Sequence, residues 1–77
     1  MQLGIDCATQ GKRTLINRLA KLKTTIEVSD GGEYWMDRNY SQVHIETTWT
    51  EDQLDSWLYN TKGLTETYGT FSREDTE

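Results

Sequence analysis

The stretch Tyr40-Ser41-Gln42-Val43-His44-Ile45-Glu46-Thr47-Thr48-Trp49-Thr50-Glu51-Asp52-Gln53-Leu54 changes its hydrophobic period once, and that change decides the fold. As far as Trp49 the period is two: Ser41, Val43, Ile45, Thr47 and Trp49 share one side, and Tyr40, Gln42, His44, Glu46 and Thr48 the other, as in a strand buried on one face. At Thr50 the pattern becomes helical. Thr50 and Gln53 form a capping box, in which each side chain satisfies a backbone N–H left orphaned at a helix start. Trp49 and Leu54 flank it as a hydrophobic staple, and Leu54, Trp57 and Leu58 continue the stripe at i, i+3 and i+4. Glu51 and Asp52 stand at the positive end of the dipole, and Lys62-Gly63 supplies a stop. The spacing predicts a helix over 51–61.

Toward the N-terminus, Thr24, Ile26 and Val28 alternate with Thr25, Glu27 and Ser29, which predicts a half-buried strand. Asp30-Gly31-Gly32 offers positions for φ > 0 and reads as a hairpin turn, with Glu33-Tyr34-Trp35-Met36 running back as a second strand. Asp37-Arg38-Asn39 is then a second turn, and the stretch from Tyr40 a third strand antiparallel to the second. Further upstream, Leu15, Ile16, Leu19 and Leu22 predict an amphipathic helix over about 10–23, with Lys12, Arg13, Arg18 and Lys21 covering its other sides. Leu3, Ile5 and Cys7 alternate with small or polar residues and suit a short strand or an extended arm. At the other end, Leu64, Tyr68 and Phe71 suit a last irregular strand. The expected fold is α+β, a three-stranded antiparallel meander with two helices packed on one face. It forms a single domain over 1–72 with a frayed tail at 73–77.

A chain of 77 residues builds one thin core. With 34 % apolar residues and three tryptophans it is globular in composition. Cys7 is the lone cysteine, so an intrachain disulfide is excluded, a zinc site is short of ligands and a reducing cytoplasm is the expected setting. No apolar run approaches the length of a membrane span. Net charge is −5 but unevenly placed. Residues 1–23 hold five cations against Asp6 alone, leaving +4, whereas residues 24–77 hold three cations against twelve carboxylates, leaving −9. An acidic body disfavours nucleic acid and favours a basic protein partner.

The inventory for catalysis is poor. Gly4 to Gly11-Lys12 has six residues between its glycines where a phosphate loop needs four, and Arg13 occupies the place of the magnesium-binding hydroxyl. His44 and Cys7 are single and far apart in sequence, and the carboxylate pairs Glu51/Asp52 and Glu74/Asp75 sit at a helix start and in a tail. The expectation is a non-enzyme without cofactor or metal. Tyr, Trp and Arg are the residue types that anchor protein interfaces. Parity puts Tyr40, His44 and Glu46 on the face away from the helices, with Arg38 and either Tyr34 or Trp35 beside them. Trp35, Arg38, Tyr40, His44 and Glu46 are therefore the candidate partner-binding residues. The alternative is a nucleic-acid-binding accessory protein using the basic helix through Lys12, Arg13, Arg18 and Lys21. Unpaired sheet edges leave a homodimer open.

The segment Thr50-Glu51-Asp52-Gln53-Leu54-Asp55-Ser56-Trp57-Leu58-Tyr59 resembles the helix of a small phage anti-CRISPR protein directed at the type I-F surveillance complex, and Gly63-Leu64 and Phe71-Ser72-Arg73-Glu74 have rough counterparts there. The resemblance covers roughly a third of the chain. It implies an antiparallel sheet with helices on one face, and a protein that binds the repeated backbone subunit of the complex and blocks hybridisation to target DNA. Contacts in that family lie mainly on strands, and no strand residue of this chain matches its motif; the basic N-terminal helix has no counterpart in it. The expectation is a phage-type inhibitor that binds and occludes a protein complex in the host cytoplasm.

Overall fold

The computed structural model describes residues 1–61 and 67–73. Strand β1 (Gln2–Ala8) leads through a single 3-10 turn (Thr9–Gly11) into helix α1 (Lys12–Ala20); then come β2 (Thr25–Glu33), β3 (Tyr40–Thr47), helix α2 (Glu51–Asn60) and β4 (Thr67–Ser72). The strands form one antiparallel sheet in the order β2-β3-β1-β4. β1 and β2 thus run the same way on either side of β3, and β3 and β4 the same way on either side of β1. Each parallel pair is joined through a helix, giving two interlocked split βαβ units, the ferredoxin-like arrangement.

The core is where the apolar stripes meet. Leu3, Ile5 and Cys7 of β1, Val43 and Ile45 of β3, Leu15 and Leu19 of α1, and Leu54 and Leu58 of α2 form one buried cluster, with Ile16, Leu22, Val28, Trp49 and Trp57 packed at its margin. Both helices therefore cover the same face of the sheet. Two buried hydroxyls on that face are satisfied: Ser41 Oγ lies 2.7 Å from Thr9 Oγ1, and Thr47 Oγ1 donates to the Thr24 carbonyl and accepts from the Trp49 N–H. The expected capping box is formed, with the Gln53 N–H donating to Thr50 Oγ1 and the Thr50 N–H to Gln53 Oε1.

The α+β class and the helices on one face agree with the sequence reading; the strands require corrections. The sheet has four strands, and the N-terminal segment is no arm but a central strand, flanked by β3 and β4. Asp30-Gly31-Gly32 does not turn the chain. β2 runs on through it to Glu33, and the expected strand over 33–36 is replaced by a loop over 34–39 that leads into β3. Gly32 does take positive φ, at 92°, but within a bulge: its N–H donates to Asp30 Oδ1 and the register with β3 slips between Asp30 and Gly32. A second slip lies between Thr25 and Glu27. It breaks the alternation assumed for 24–29, so that Ile26, expected beside Val28 on the inner face, is exposed. β4 confirms the expected irregular strand, with a register shift against β1 between Asp6 and Cys7. Lys62-Gly63, Leu64 and most of the expected tail lie outside the described residues. No helix among the described residues is long and apolar enough to cross a membrane.

Candidate protein-docking surface

The sheet face opposite the helices follows from parity. With Leu3, Ile5 and Cys7 in the core, β1 turns Gln2, Gly4 and Asp6 outward; β3 likewise turns out Tyr40, Gln42, His44 and Glu46. The register sets Asp6 beside Gln42, Gly4 beside His44 and Gln2 beside Glu46. On the other flank Glu27 lies opposite Glu46 and Ser29 opposite His44. Two glycines on this face make room for rings. A Cβ at Gly4 would run into the Phe71 ring, which comes over from β4, and a Cβ at Gly31 would lie 2.7 Å from His44 Nε2.

A directed chain of hydrogen bonds crosses the face. The Tyr34 hydroxyl donates to Asp6 Oδ1, and Gln42 Nε2 donates to the Tyr34 hydroxyl at 2.9 Å. Gln42 Oε1 is thereby left to accept, so His44 Nε2, 3.0 Å away, carries its proton. Burial, and next the nearby charge of Arg73, hold the His44 imidazole below the ordinary histidine range, while Asp30 opposes them. Burial and the bond to Asp6 push the Tyr34 phenol up. Arg73 extends from the end of β4 and donates from Nε to the Leu3 carbonyl and from Nη2 to the Ile45 carbonyl.

The 34–39 loop continues this face at one end, and its backbone is tied down on both sides of Trp35 and Met36. The Tyr34 N–H donates to the Tyr40 carbonyl, the Asp37 N–H to the Tyr34 carbonyl and the Tyr40 N–H to the Asp37 carbonyl. The Asn39 N–H donates to Asp37 Oδ1, and Thr9 holds the Asn39 and Arg38 carbonyls through its N–H and hydroxyl. Between these anchored positions Trp35 is 88 % exposed and Met36 79 %. With Tyr34, Asp37 and Tyr40 they line a shallow apolar depression. Tyr40 makes an edge-on contact with Tyr68 at 5.3 Å between ring centroids, which extends the aromatic surface to β4.

Of the residues singled out in the sequence, Tyr40, His44 and Glu46 share the open face, and Trp35 and Arg38 stand on the loop that borders it. Tyr34 resolves the choice left by alternation: it is half-buried against Asp6 and Gln42, outside the core, and Trp35 is the exposed one. Sequence reasoning missed Asp6, Gln42, Met36, Tyr68 and Phe71. Asp6 and Gln42 were within reach, since each alternates with core residues already identified; Phe71 was not, because its place depends on the pairing of β4 with Gly4. The basic helix is partly neutralised, with Lys12 Nζ 3.1 Å from Asp30 Oδ2. The Gly32 N–H and, after it, Lys12 hold the Asp30 carboxyl below the usual range. Among the described residues no group of His, Cys, Asp and Glu could hold a metal ion.

No family model, curated protein or solved structure matches the chain.

Proposed function

We propose that this chain is a small phage-type inhibitor that binds and occludes a host protein complex through the open sheet face and the 34–39 loop. The observation that carries this reading is a tryptophan and a methionine left almost fully exposed on a loop whose backbone is held by hydrogen bonds on both sides of them, at Tyr34 and from Asp37 to Asn39. A contiguous exposed apolar patch marks an interaction site, and a loop ordered in advance avoids the entropic cost a partner would otherwise meet on binding. Trp35, Arg38, Tyr40, His44 and Glu46 act as contact residues and perform no chemistry. The likeness of α2 to the type I-F anti-CRISPR helix makes that effector complex the first target to try, in the cytoplasm of the host.

The alternative through Lys12, Arg13, Arg18 and Lys21 is weaker. Lys12 is already paired with Asp30. RNA-binding sheets of this topology stack bases on aromatics of the two central strands. Here the middle of those strands carries Gly4, Asp6, Gln42 and His44. The test is to immobilise the chain and offer purified type I-F effector complex and duplex DNA, each at two salt concentrations. Saturable retention of the effector that Trp35→Ala weakens roughly thirtyfold supports occlusion; DNA retention alone, lost at higher salt, transfers the function to the basic helix.

A further inference from the structure

Glu27 and Glu46 are directly opposed across the β2–β3 ladder, an arrangement of like charges that destabilises a sheet. Neither carboxylate has an ion pair or side-chain hydrogen bond among the described residues. Other carboxylates of the molecule serve the fold. Asp6 accepts from Tyr34, Asp30 from Gly32 and Lys12, and Asp37 from Asn39, while Glu51 and Asp52 lie in the first turn of α2, where the dipole favours them. Glu27 and Glu46, set opposite each other by the register, have no such partner among the described residues. Arg73, the cation that reaches across from β4, points Nε and Nη2 at backbone carbonyls. Departures of this kind from what the fold prefers are expected where a surface is shaped for binding.

From Tyr40 to Glu46 are six residues of strand, about 20 Å. One end of this face is apolar, at Trp35, Met36 and Tyr40; the other is anionic, at Glu27 and Glu46. Resting on the docking role proposed above, we infer that the occupant is an extended basic protein segment. It seats an apolar side chain in the Trp35–Met36–Tyr40 depression and, about 20 Å further on, an arginine or lysine between Glu27 and Glu46. An anionic occupant would add a third like charge to the glutamate pair, and a wholly apolar one would bury both carboxylates unpaired.

The test uses the whole ¹⁵N-labelled chain and three synthetic nine-residue peptides, followed by amide shifts. The first has leucine and arginine six positions apart, the second has glutamate in place of the arginine, and the third brings leucine and arginine within two positions. The first peptide is expected to shift amides of the loop and of Glu27 and Glu46 together, and the other two to bind about fivefold more weakly, as loss of one or two exposed ion pairs would give. Glu27→Gln with Glu46→Gln should reduce the first peptide to the level of the second without lowering the melting temperature, since neither carboxylate makes an ion pair or side-chain hydrogen bond among the described residues. Equal binding by the arginine and glutamate peptides, with loop shifts intact, overturns the charge assignment and leaves the docking loop standing. Shifts at Glu27 and Glu46 without any at Trp35 and Met36 overturn the docking loop instead. Shifts confined to the acidic turn of α2, or none with any peptide, overturn the inference.

Discussion

Replacing Gly4 by alanine should destabilise the protein, although in a strand interior the same change ordinarily stabilises by roughly 0.5–1 kcal/mol. Gly4 lies in a central strand, and the three atoms nearest to an added Cβ all belong to the distal edge of the Phe71 ring. The ring must lift off β1, which exposes apolar area and strains the pairing of Gly4 with Phe71. Overpacking of this kind costs about 1–3 kcal/mol. Because Phe71 sits on an edge strand and can yield outward, the lower half of that range is expected. For a domain of this size each kcal/mol moves the melting temperature by about 4–8 °C. The assay is thermal unfolding by circular dichroism of Gly4→Ala, Phe71→Ala and the double variant. In the Phe71→Ala background the clash is gone, so alanine at position 4 should be neutral or stabilising, and the cycle should show about 1–2 kcal/mol of coupling. Additive effects, or a Gly4→Ala protein as stable as the parent, would refute the placement of the ring and with it the register of β4.

Leu54→Ala, at a fully buried site, should cost about 2–5 kcal/mol through loss of transfer energy and a residual cavity, read as a lower urea midpoint. Tyr34→Phe removes the hydroxyl that links Asp6 to Gln42 and should cost about 1–2 kcal/mol, with amide exchange quickening across residues 34–39 before the rest of the sheet. The pH dependence follows from His44. Its folded pKa is depressed, so the fold favours the neutral ring; that contribution is complete above the ordinary histidine pKa and is lost as pH falls from there through the folded value. Stability should therefore decline on acidification below about pH 6.5, and His44→Gln should remove this part of the decline while leaving any that carboxylates cause at lower pH.

Local signals told most where a residue's role depends on its neighbours in sequence. The capping box at Thr50 and Gln53, the stripe of Leu54 and Leu58, and the alternation of Val43 and Ile45 with His44 and Glu46 each involve residues within one turn or one pleat, and each appears in the structure as expected. What failed depended on pairing. Asp30-Gly31-Gly32 has the composition of a hairpin turn, but the same positive φ at Gly32 serves a bulge equally well, and only the partner strand decides between them. The central position of β1 was illegible for the same reason: Leu3, Ile5 and Cys7 show alternation but not that strands from residues 40–47 and 67–72 close on both sides. The candidate docking surface was half legible. Parity placed Tyr40, His44 and Glu46 correctly, whereas the opposition of Glu27 to Glu46 depends on the register of β2 against β3, which no periodicity announces.

The most direct test of the docking surface is a paired measurement on Trp35→Ala: affinity for the immobilised type I-F effector complex beside the thermal melting curve. A tryptophan that is 88 % exposed and acts as an anchor should give binding weaker by about 2 kcal/mol, roughly thirtyfold, with melting unchanged. Undiminished affinity, or a loss of affinity that tracks a loss of folded protein, would contradict it.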